Sequence, residues 1–421
     1  MQRRYFLVTT GQALAFAVSA PTVRAVGVRE QEPSQASSTQ LEQRVASVLQ
    51  TFDVQGNHRT GTAADNDSAE WLAGEVRRVG IKPTLESFAL SRVDPQLAYA
   101  RIGNRRIDGV PMFDGGFTDA EGVSGRLDLL GSDAEVGLAE RPSETVGHIT
   151  EADVLAHARR SRHKAVILIT GANRPGLFLS NASTFLKPSG PPILQVSNVE
   201  SEWLQRQAQG GTSATVVAYV KRTPAHAINV TATVPGRNPN LAPLVVMAPR
   251  SGWWQCVSEQ GSRIVCWLEI LRSLAGAKPL RTCHFVALSG HELGFMGMAP
   301  YLEERGDMIR SAEAWIFLGS DLGLPGQPNL IHASDDSLEE WLVTALAKQG
   351  LPVDAKEGHS ATARGETTAV QRGGGRFVTL ACASSVFHSV ADRWPESVDV
   401  SLLARYAKAL SEGILDLAER T

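Results

Sequence analysis

Residues 244–292 decide how this chain folds and read LVVMAPRSGWWQCVSEQGSRIVCWLEILRSLAGAKPLRTCHFVALSGHE. Two short apolar runs, at 244–247 and 285–288, are typical of buried strands. Between them, apolar residues recur at helical spacing: Ile264, Trp267, Leu268, Leu271 and Leu274. A strand, a helix and a second strand in this order predict two parallel strands joined by a crossover helix. His291 and Glu292 follow the second strand directly, at the edge where open α/β sheets bind ligands.

The sequence beyond residue 226 continues this alternation. Strands are predicted at 314–318 and 377–380, and helices at 338–348 and 401–419. Elements that alternate in this way predict an α/β fold with a mostly parallel sheet flanked by helices. Residues 100–225 differ, because they contain short strand-like runs and many glycines. We therefore predict a main domain formed by 41–99 and 226–421, with a β-rich insert at 100–225 that is typical of a lid or a substrate-selecting module.

Composition restricts the class of protein. A chain of 421 residues favours two domains, and 43% hydrophobic with 20% charged residues is typical of a soluble globular protein. The net charge of -3 and the absence of a basic stripe argue against a nucleic-acid partner. The four cysteines are few for an exported protein, and we expect them to pack in the core. The alternative is that two of them form one disulfide.

The N-terminal residues predict export from the cytoplasm. Arg3 and Arg4 precede an apolar run that ends in a small-residue cleavage site at Ala25, which indicates a signal peptide at 1–25 of twin-arginine type. Residues 26–40 are rich in Gln, Ser and Glu and predict a disordered linker. The apolar run is too short for a stable membrane span, so we expect a periplasmic or extracellular protein after signal removal.

The order of these parts resembles the zinc-dependent aminopeptidases of metallopeptidase family 28. The insert resembles a protease-associated domain, especially at 164–170 and 191–196. The resemblance implies a peptide or small amide substrate and a site with two zinc ions joined by a bridging aspartate. The oligomeric state does not follow from it.

The chain departs from the family where the first zinc ion is bound. Pro249-Arg250-Ser251 stands at the family's His-x-Asp motif, and Ser320 stands where an aspartate is expected. Asp321 is adjacent, but one step along a strand turns a side chain to the opposite face. The first metal site is therefore expected to be lost.

The resemblance leaves one possible zinc site. Glu259 aligns with the bridging aspartate, Glu292 with the ligand glutamate and His388 with the late histidine. Two carboxylates and one imidazole suit a single catalytic zinc ion with an open position for water. His291 stands at the position of the general base, and an imidazole can exchange protons near neutral pH.

Each of these residues also has a simpler explanation. Glu259 precedes a helix, where the helix dipole alone favours an acidic residue. His291 and Glu292 could be exposed residues of a glycine-flanked turn, and His388 could be a core histidine beside Phe387.

Four further residues are candidates for substrate binding. Arg250, Trp253 and Trp254 combine a cation with two aromatic rings, which suits an anionic or planar group, although they could equally fill the space left by a missing metal. Glu366 could bind a substrate amine, or could simply be solvated.

These observations predict an exported hydrolase of amide or peptide bonds with one zinc ion per chain. The alternative is a catalytically inactive homologue that binds a peptide or a cell-envelope component. A metal-free hydrolase that uses Ser251 or Ser289 as nucleophile ranks last, because neither serine lies in a Gly-x-Ser-x-Gly motif.

Overall fold

The structure, a computed structural model, describes residues 33–141, 150–171 and 173–421. The predicted signal peptide lies outside these residues, as does the first part of the predicted linker. The rest of that linker is helical, because the first helix begins at Pro33 rather than at 41. Within the described ranges, no helix combines the length and the apolar character that crossing a membrane requires.

Helices and strands alternate along most of the chain. The helices are α1 (Pro33–Val54), α2 (Ala63–Arg78), α3 (Thr150–Arg160), α4 (Ser201–Gln209), α5 (Ser262–Ala277), α6 (Met298–Glu303), α7 (Met308–Ser311), α8 (Asp336–Ala347), α9 (Thr367–Arg372) and α10 (Val400–Ala418). The strands are β1 (Thr84–Ile102), β2 (Arg105–Asp108), β3 (Val110–Pro111), β4 (Val123–Leu129), β5 (Val136–Glu140), β6 (Ala165–Ile169), β7 (Ile193–Val196), β8 (Ser213–Val234), β9 (Leu244–Pro249), β10 (Cys283–Leu288), β11 (Ala314–Leu318), β12 (Asn329–Ala333), β13 (Ala355–Glu357) and β14 (Phe377–Cys382).

Four parallel strands form the centre of the sheet, in the order β14, β11, β9, β10. β9 and β10 pair in parallel, with Met247 opposite Val286, as their connection through a helix requires. Antiparallel neighbours, β8 and β12, flank the four strands. The predicted fold class, a mostly parallel α/β sheet covered by helices, is confirmed.

Helix α5 connects β9 to β10 and is buried in the main core. The five apolar residues that predicted it are all at most 1% exposed. Burial of each such side chain contributes about 1.5–3 kcal/mol. A π-helical turn at Val257–Gly261 comes directly before α5, after Cys256 at a φ of 53°. Turns of this kind occur frequently at functional sites, because they displace side chains from the regular helix surface.

The insert has a sheet and cores of its own. β4, β5, β6 and β7 run parallel, and β4 joins the main sheet through β8. β1 has 19 residues and β8 has 22, and they pair antiparallel from Thr84 opposite Thr231 to Ile102 opposite Ala214. The predicted domain boundaries at 99/100 and 225/226 fall inside these two strands. The division into two domains stays a prediction, but backbone hydrogen bonds run across both boundaries.

Candidate functional site

A cavity of about 550 Å³ lies at the carboxyl edge of the parallel strands. The turn after β10 contributes His291, the turn after β11 contributes Asp321, and the loop after β14 contributes His388. Arg263, in the first turn of α5, also lines the cavity. Parallel strands end at one edge of a sheet, so side chains far apart in sequence meet there.

His291 is oriented by a buried carboxylate. Its Nδ1 lies 3.0 and 3.2 Å from the two carboxylate oxygens of Glu366, which is 1% exposed. A carboxylate accepts a hydrogen bond from Nδ1, so Nε2 is the ring nitrogen available to a ligand in the cavity. Glu366 was predicted either to bind a substrate amine or to be solvated, and neither prediction was correct. It is not solvated, and its carboxylate binds His291 rather than facing a substrate.

His388 pairs with Glu259. Its Nδ1 lies 2.7 Å from the carbonyl oxygen of Leu179, so Nδ1 is the donor, and its Nε2 lies 3.5 Å from Glu259 Oε1. His388 has a φ of 57°, and the Phe387 ring stacks on its imidazole. Burial raises the pKa of Glu259, but the interactions with His388, His291 and Arg263 outweigh burial and lower that pKa to about 2. The 3.5 Å distance shows that Glu259 and His388, which the sequence predicted to lie together, are in contact.

Glu292 is turned away from this pair. Its carboxylate accepts hydrogen bonds from the Thr60 backbone N–H at 2.7 Å and from Ser251 Oγ at 2.8 Å, and the residue is fully buried. Burial raises its pKa, and the hydrogen bonds from Thr60 oppose that shift. Both oxygens of Glu292 are thus held by the chain itself.

The predicted zinc ligands are not assembled. In the described parts of the chain, no group of three or more His, Cys, Asp or Glu side chains is placed to hold a metal ion. Glu259 and His388 meet, but the third predicted ligand, Glu292, is bound to Thr60 and Ser251. The prediction of a zinc site formed by Glu259, Glu292 and His388 is therefore corrected, because this arrangement does not fit the metal.

Arg250 is a structural residue. Its guanidinium is fully buried, pairs with Asp65 at 2.8 Å and donates to the carbonyl oxygen of Ile228. Asp65 also accepts from Gly61 N and Ser289 Oγ. Arg250 does not line the cavity, so the prediction that it binds substrate is corrected, and the alternative that it fills space left by a metal site agrees with its burial.

Trp253 contacts the insert, and Trp254 contacts the loop that carries His388. The indole N–H of Trp253 donates to Asn181 at 3.1 Å, and its ring meets Phe113 edge-on at 5.2 Å. The indole N–H of Trp254 donates to the His388 carbonyl oxygen. Neither ring lines the cavity, so both act as packing residues and not as the predicted substrate contacts.

Two buried carboxyl groups were not predicted as site residues. Asp321, at a φ of 64°, accepts from Ser258 Oγ at 2.6 Å, and Asp392 accepts from the backbone N–H groups of Ser258 and Glu259. Burial raises the pKa of Asp321 to about 6. Burial and the charge of Asp321 raise the pKa of Asp392 to about 8. Asp321 lies beyond the end of β11, so strand alternation does not govern its direction.

Arg263 is also a cavity residue that was not predicted from the sequence. It is 2% exposed, and burial lowers the pKa of its guanidinium. Helical spacing places it four residues before Trp267, on the buried face of α5, and this spacing is the signal by which it could have been found.

Comparison with known proteins supports the fold assignment. No family model and no curated protein matches the sequence. The solved structure of BSAP, a zinc aminopeptidase from Bacillus subtilis, is 16% identical, with 91% of this chain and 95% of that chain covered and a TM-score of 0.72. A peptidase M28 precursor from Shewanella amazonensis is 15% identical, with 92% and 97% covered and a TM-score of 0.72. An aminopeptidase from Aneurinibacillus sp. strain AM-1 is also 15% identical, with 91% and 97% covered and a TM-score of 0.68. The chain therefore has the fold of the zinc aminopeptidases, over nearly its whole length.

Proposed function

We propose that this protein binds a peptide or small amide in its cavity without cleaving it, as a metal-independent relative of the zinc aminopeptidases. The observation that carries the proposal is the hydrogen bonding of Glu292, whose two carboxylate oxygens are taken by Thr60 and Ser251. Glu292 is also fully buried and does not line the cavity, so its carboxylate is not presented to a metal ion there.

The residues at the family's first zinc position, which we expected to be lost, support the same conclusion. Arg250 forms a buried ion pair with Asp65, so a positive charge belonging to the chain lies next to that position. Ser251 Oγ accepts from the backbone N–H groups of Gly290 and His291, which fixes the turn that carries His291. These contacts make a stable polar core that needs no ion.

The binding cavity has the size and lining of a ligand site. A volume of about 550 Å³ lies within the range of small-molecule pockets, which is about 300–1,000 Å³. Aromatic side chains and a few polar groups line it, including Phe317, Phe387 and Asn181. The paired arginines Arg3 and Arg4 support our proposal that binding takes place in the periplasm or outside the cell.

The second candidate is hydrolysis of an amide bond, with His291 as acid and base. The contact between His291 and Glu366 favours it, because a carboxylate that orients an imidazole is common in general-base sites. The hydrolase predicted from the sequence carries one zinc ion with three protein ligands. Of these three residues, Glu259 and His388 are in contact, and Glu292 is bonded elsewhere.

Metal analysis separates the two candidates. The protein is purified without added metal or chelator, incubated with excess zinc sulfate and desalted, and zinc is then counted per chain. We expect much less than one. One zinc ion per chain, lost in both Glu259→Gln and His388→Ala, would establish a zinc site at these residues and overturn our proposal of a metal-independent protein.

A binding assay completes the test. Short peptides are incubated with the protein, and their binding and integrity are followed by calorimetry and mass spectrometry. We expect binding with every peptide intact. Cleavage that disappears in His291→Ala but persists in His359→Ala, a substitution of a histidine that does not line the cavity, would favour the second candidate.

A further inference from the structure

Arg263 is a buried cation without a hydrogen-bonded acceptor. Its guanidinium makes no hydrogen bond to any residue that the structure describes, and its Nε and Nη1 are shielded from solvent. The Phe317 ring lies beside it, with its centroid 5.6 Å from Cζ. A buried guanidinium in this state lacks the acceptors that such groups require.

The carboxylates near Arg263 are bonded to other groups. Glu366 accepts from His291, and Glu259 pairs with His388. Three carboxylates lie close enough to raise the pKa of Arg263 and so to oppose the effect of burial: Glu259, Glu366 and Asp321. They attract the guanidinium without forming a hydrogen bond to it.

The other arginine of the cavity is paired. Arg364 forms an ion pair with Glu357, and its side chain is 46% exposed. Arg263 therefore differs from Arg364 in both burial and pairing, although both line the same cavity.

We propose that Arg263 binds the carboxylate of a ligand that carries an apolar or aromatic group next to that carboxylate. This inference rests on the proposed binding function and names its ligand class. A guanidinium presents N–H donors in a planar fork that matches a carboxylate. Aromatic rings from three elements line the cavity and suit the apolar group: Phe295, Phe317 and Phe387.

The charges around the cavity favour a monoanion. The three carboxylates near the guanidinium repel a dianion such as phosphate about twice as strongly as a monoanion, so a single carboxylate is the anion that best replaces the missing acceptor. Asn173 and Asn181 add amide groups that can bind a peptide or acyl group attached to the ligand.

A pair of matched ligands tests the inference. Binding of N-acetyl-phenylalanine and of N-acetyl-phenylalaninamide to the full chain is measured by calorimetry. The two differ only in the carboxylate, and we expect the acid to bind at least about tenfold more tightly, as one charge-assisted hydrogen bond predicts.

Variants assign this preference to one residue. In Arg263→Gln the acid should bind at least about tenfold more weakly, and the preference for the acid should disappear. Arg263→Lys, which retains the charge but not the planar fork, should show an intermediate preference. Arg272→Gln, which changes a paired arginine of α5 that does not line the cavity, is the control and should retain the full preference. Circular dichroism confirms that each variant is folded.

Two further ligands identify the source of the carboxylate. Tighter binding of the dipeptide Ala-Phe than of free phenylalanine indicates a peptide C-terminus, and the reverse order indicates a free amino acid. Both outcomes support a carboxylate ligand.

Three results would overturn the inference: equal binding of acid and amide, binding of neither, or an acid preference that survives in Arg263→Gln. A peptide amide that binds intact to metal-free protein would leave the proposed function standing when this inference fails. Stoichiometric zinc would contradict the proposed function itself.

Discussion

At the scale of single residues, Arg250 and Asp65 show how a buried ion pair determines what a site can do. Both side chains are fully buried, and each is bonded to backbone or hydroxyl groups as well as to the other. Removing one member of such a pair leaves an uncompensated charge in a low-dielectric environment.

Arg250→Met should therefore destabilise the protein by about 3–5 kcal/mol, measured by urea denaturation. The matched control is Lys348→Met. Lys348 pairs with Asp416 while 50% exposed, and loss of a surface pair costs at most about 1 kcal/mol. Equal losses in the two variants would contradict a structural role for Arg250.

Asp321 should make stability depend on pH. Its pKa is about 6 in the folded protein and lower when unfolded, so its contribution is present at low pH and is lost as pH rises through about 6. Asp321→Asn abolishes this loss of stability at high pH, because an asparagine does not ionise. The substitution also removes the charge that raises the pKa of Asp392.

The variant should therefore gain stability relative to the wild type between pH 4 and pH 8, by a difference on the order of 3 kcal/mol. Urea denaturation at several pH values measures it. The exposed residue Asp336 provides a control, and Asp336→Asn should follow the wild-type profile. A stability difference between Asp321→Asn and wild type that is constant with pH would refute this prediction.

At the scale of elements, a segment of the insert covers the turns that carry the site residues. The Leu179 N–H donates to the His388 carbonyl oxygen, and the Ala182 N–H donates to the Glu292 carbonyl oxygen. Trp253 holds this segment through Asn181. The insert therefore lines part of the cavity and also fixes the turns that carry His388 and Glu292.

Trp253→Ala should loosen this segment. Removal of the ring should cost about 3–5 kcal/mol and accelerate amide hydrogen exchange at Leu179 and Ala182. Trp203→Ala, which changes a tryptophan on α4 elsewhere in the insert, should leave exchange at these two amides unchanged. Protection at Leu179 that is the same in both variants would show that Trp253 does not hold the segment.

The sequence predicted the elements whose pattern is local. β9, α5 and β10 follow from two apolar runs and one helical period, and the structure has them where expected. It did not predict the full lengths of β1 and β8, because their middle residues are partly exposed and mixed in character. Strand pairing over such a length depends on partners more than 100 residues away.

The same dependence on distant partners explains why the sequence predicted the site only in part. Glu259 and His388 meet, as their alignment with the family suggested. The directions of Glu292 and Glu366 depend on Thr60, Ser251 and His291, which lie on other elements. No pattern along the sequence contains those contacts.

At the scale of the whole molecule, β1 and β8 join the insert to the main domain. Their ladder continues from the main sheet into the insert without a flexible linker. The two parts share backbone hydrogen bonds, so separate unfolding would break the ladder in its middle.

Ile167→Ala should therefore destabilise both parts together. Ile167 is fully buried in the core of the insert, and its truncation should cost about 2–5 kcal/mol. We expect one unfolding transition in urea, with equal losses of exchange protection at Leu168 in the insert and at Ile316 in the main sheet. Loss of protection at Leu168 alone would indicate two independent units.

The contacts of Ser251 also restrict the routes by which this sequence can evolve. An aspartate at 251 would bring a second carboxylate against buried Glu292, and would remove the hydroxyl that four neighbouring groups use. The step from Ser251 to an aspartate thus passes through a less stable protein, and selection for stability alone opposes a change to a metal ligand at this position.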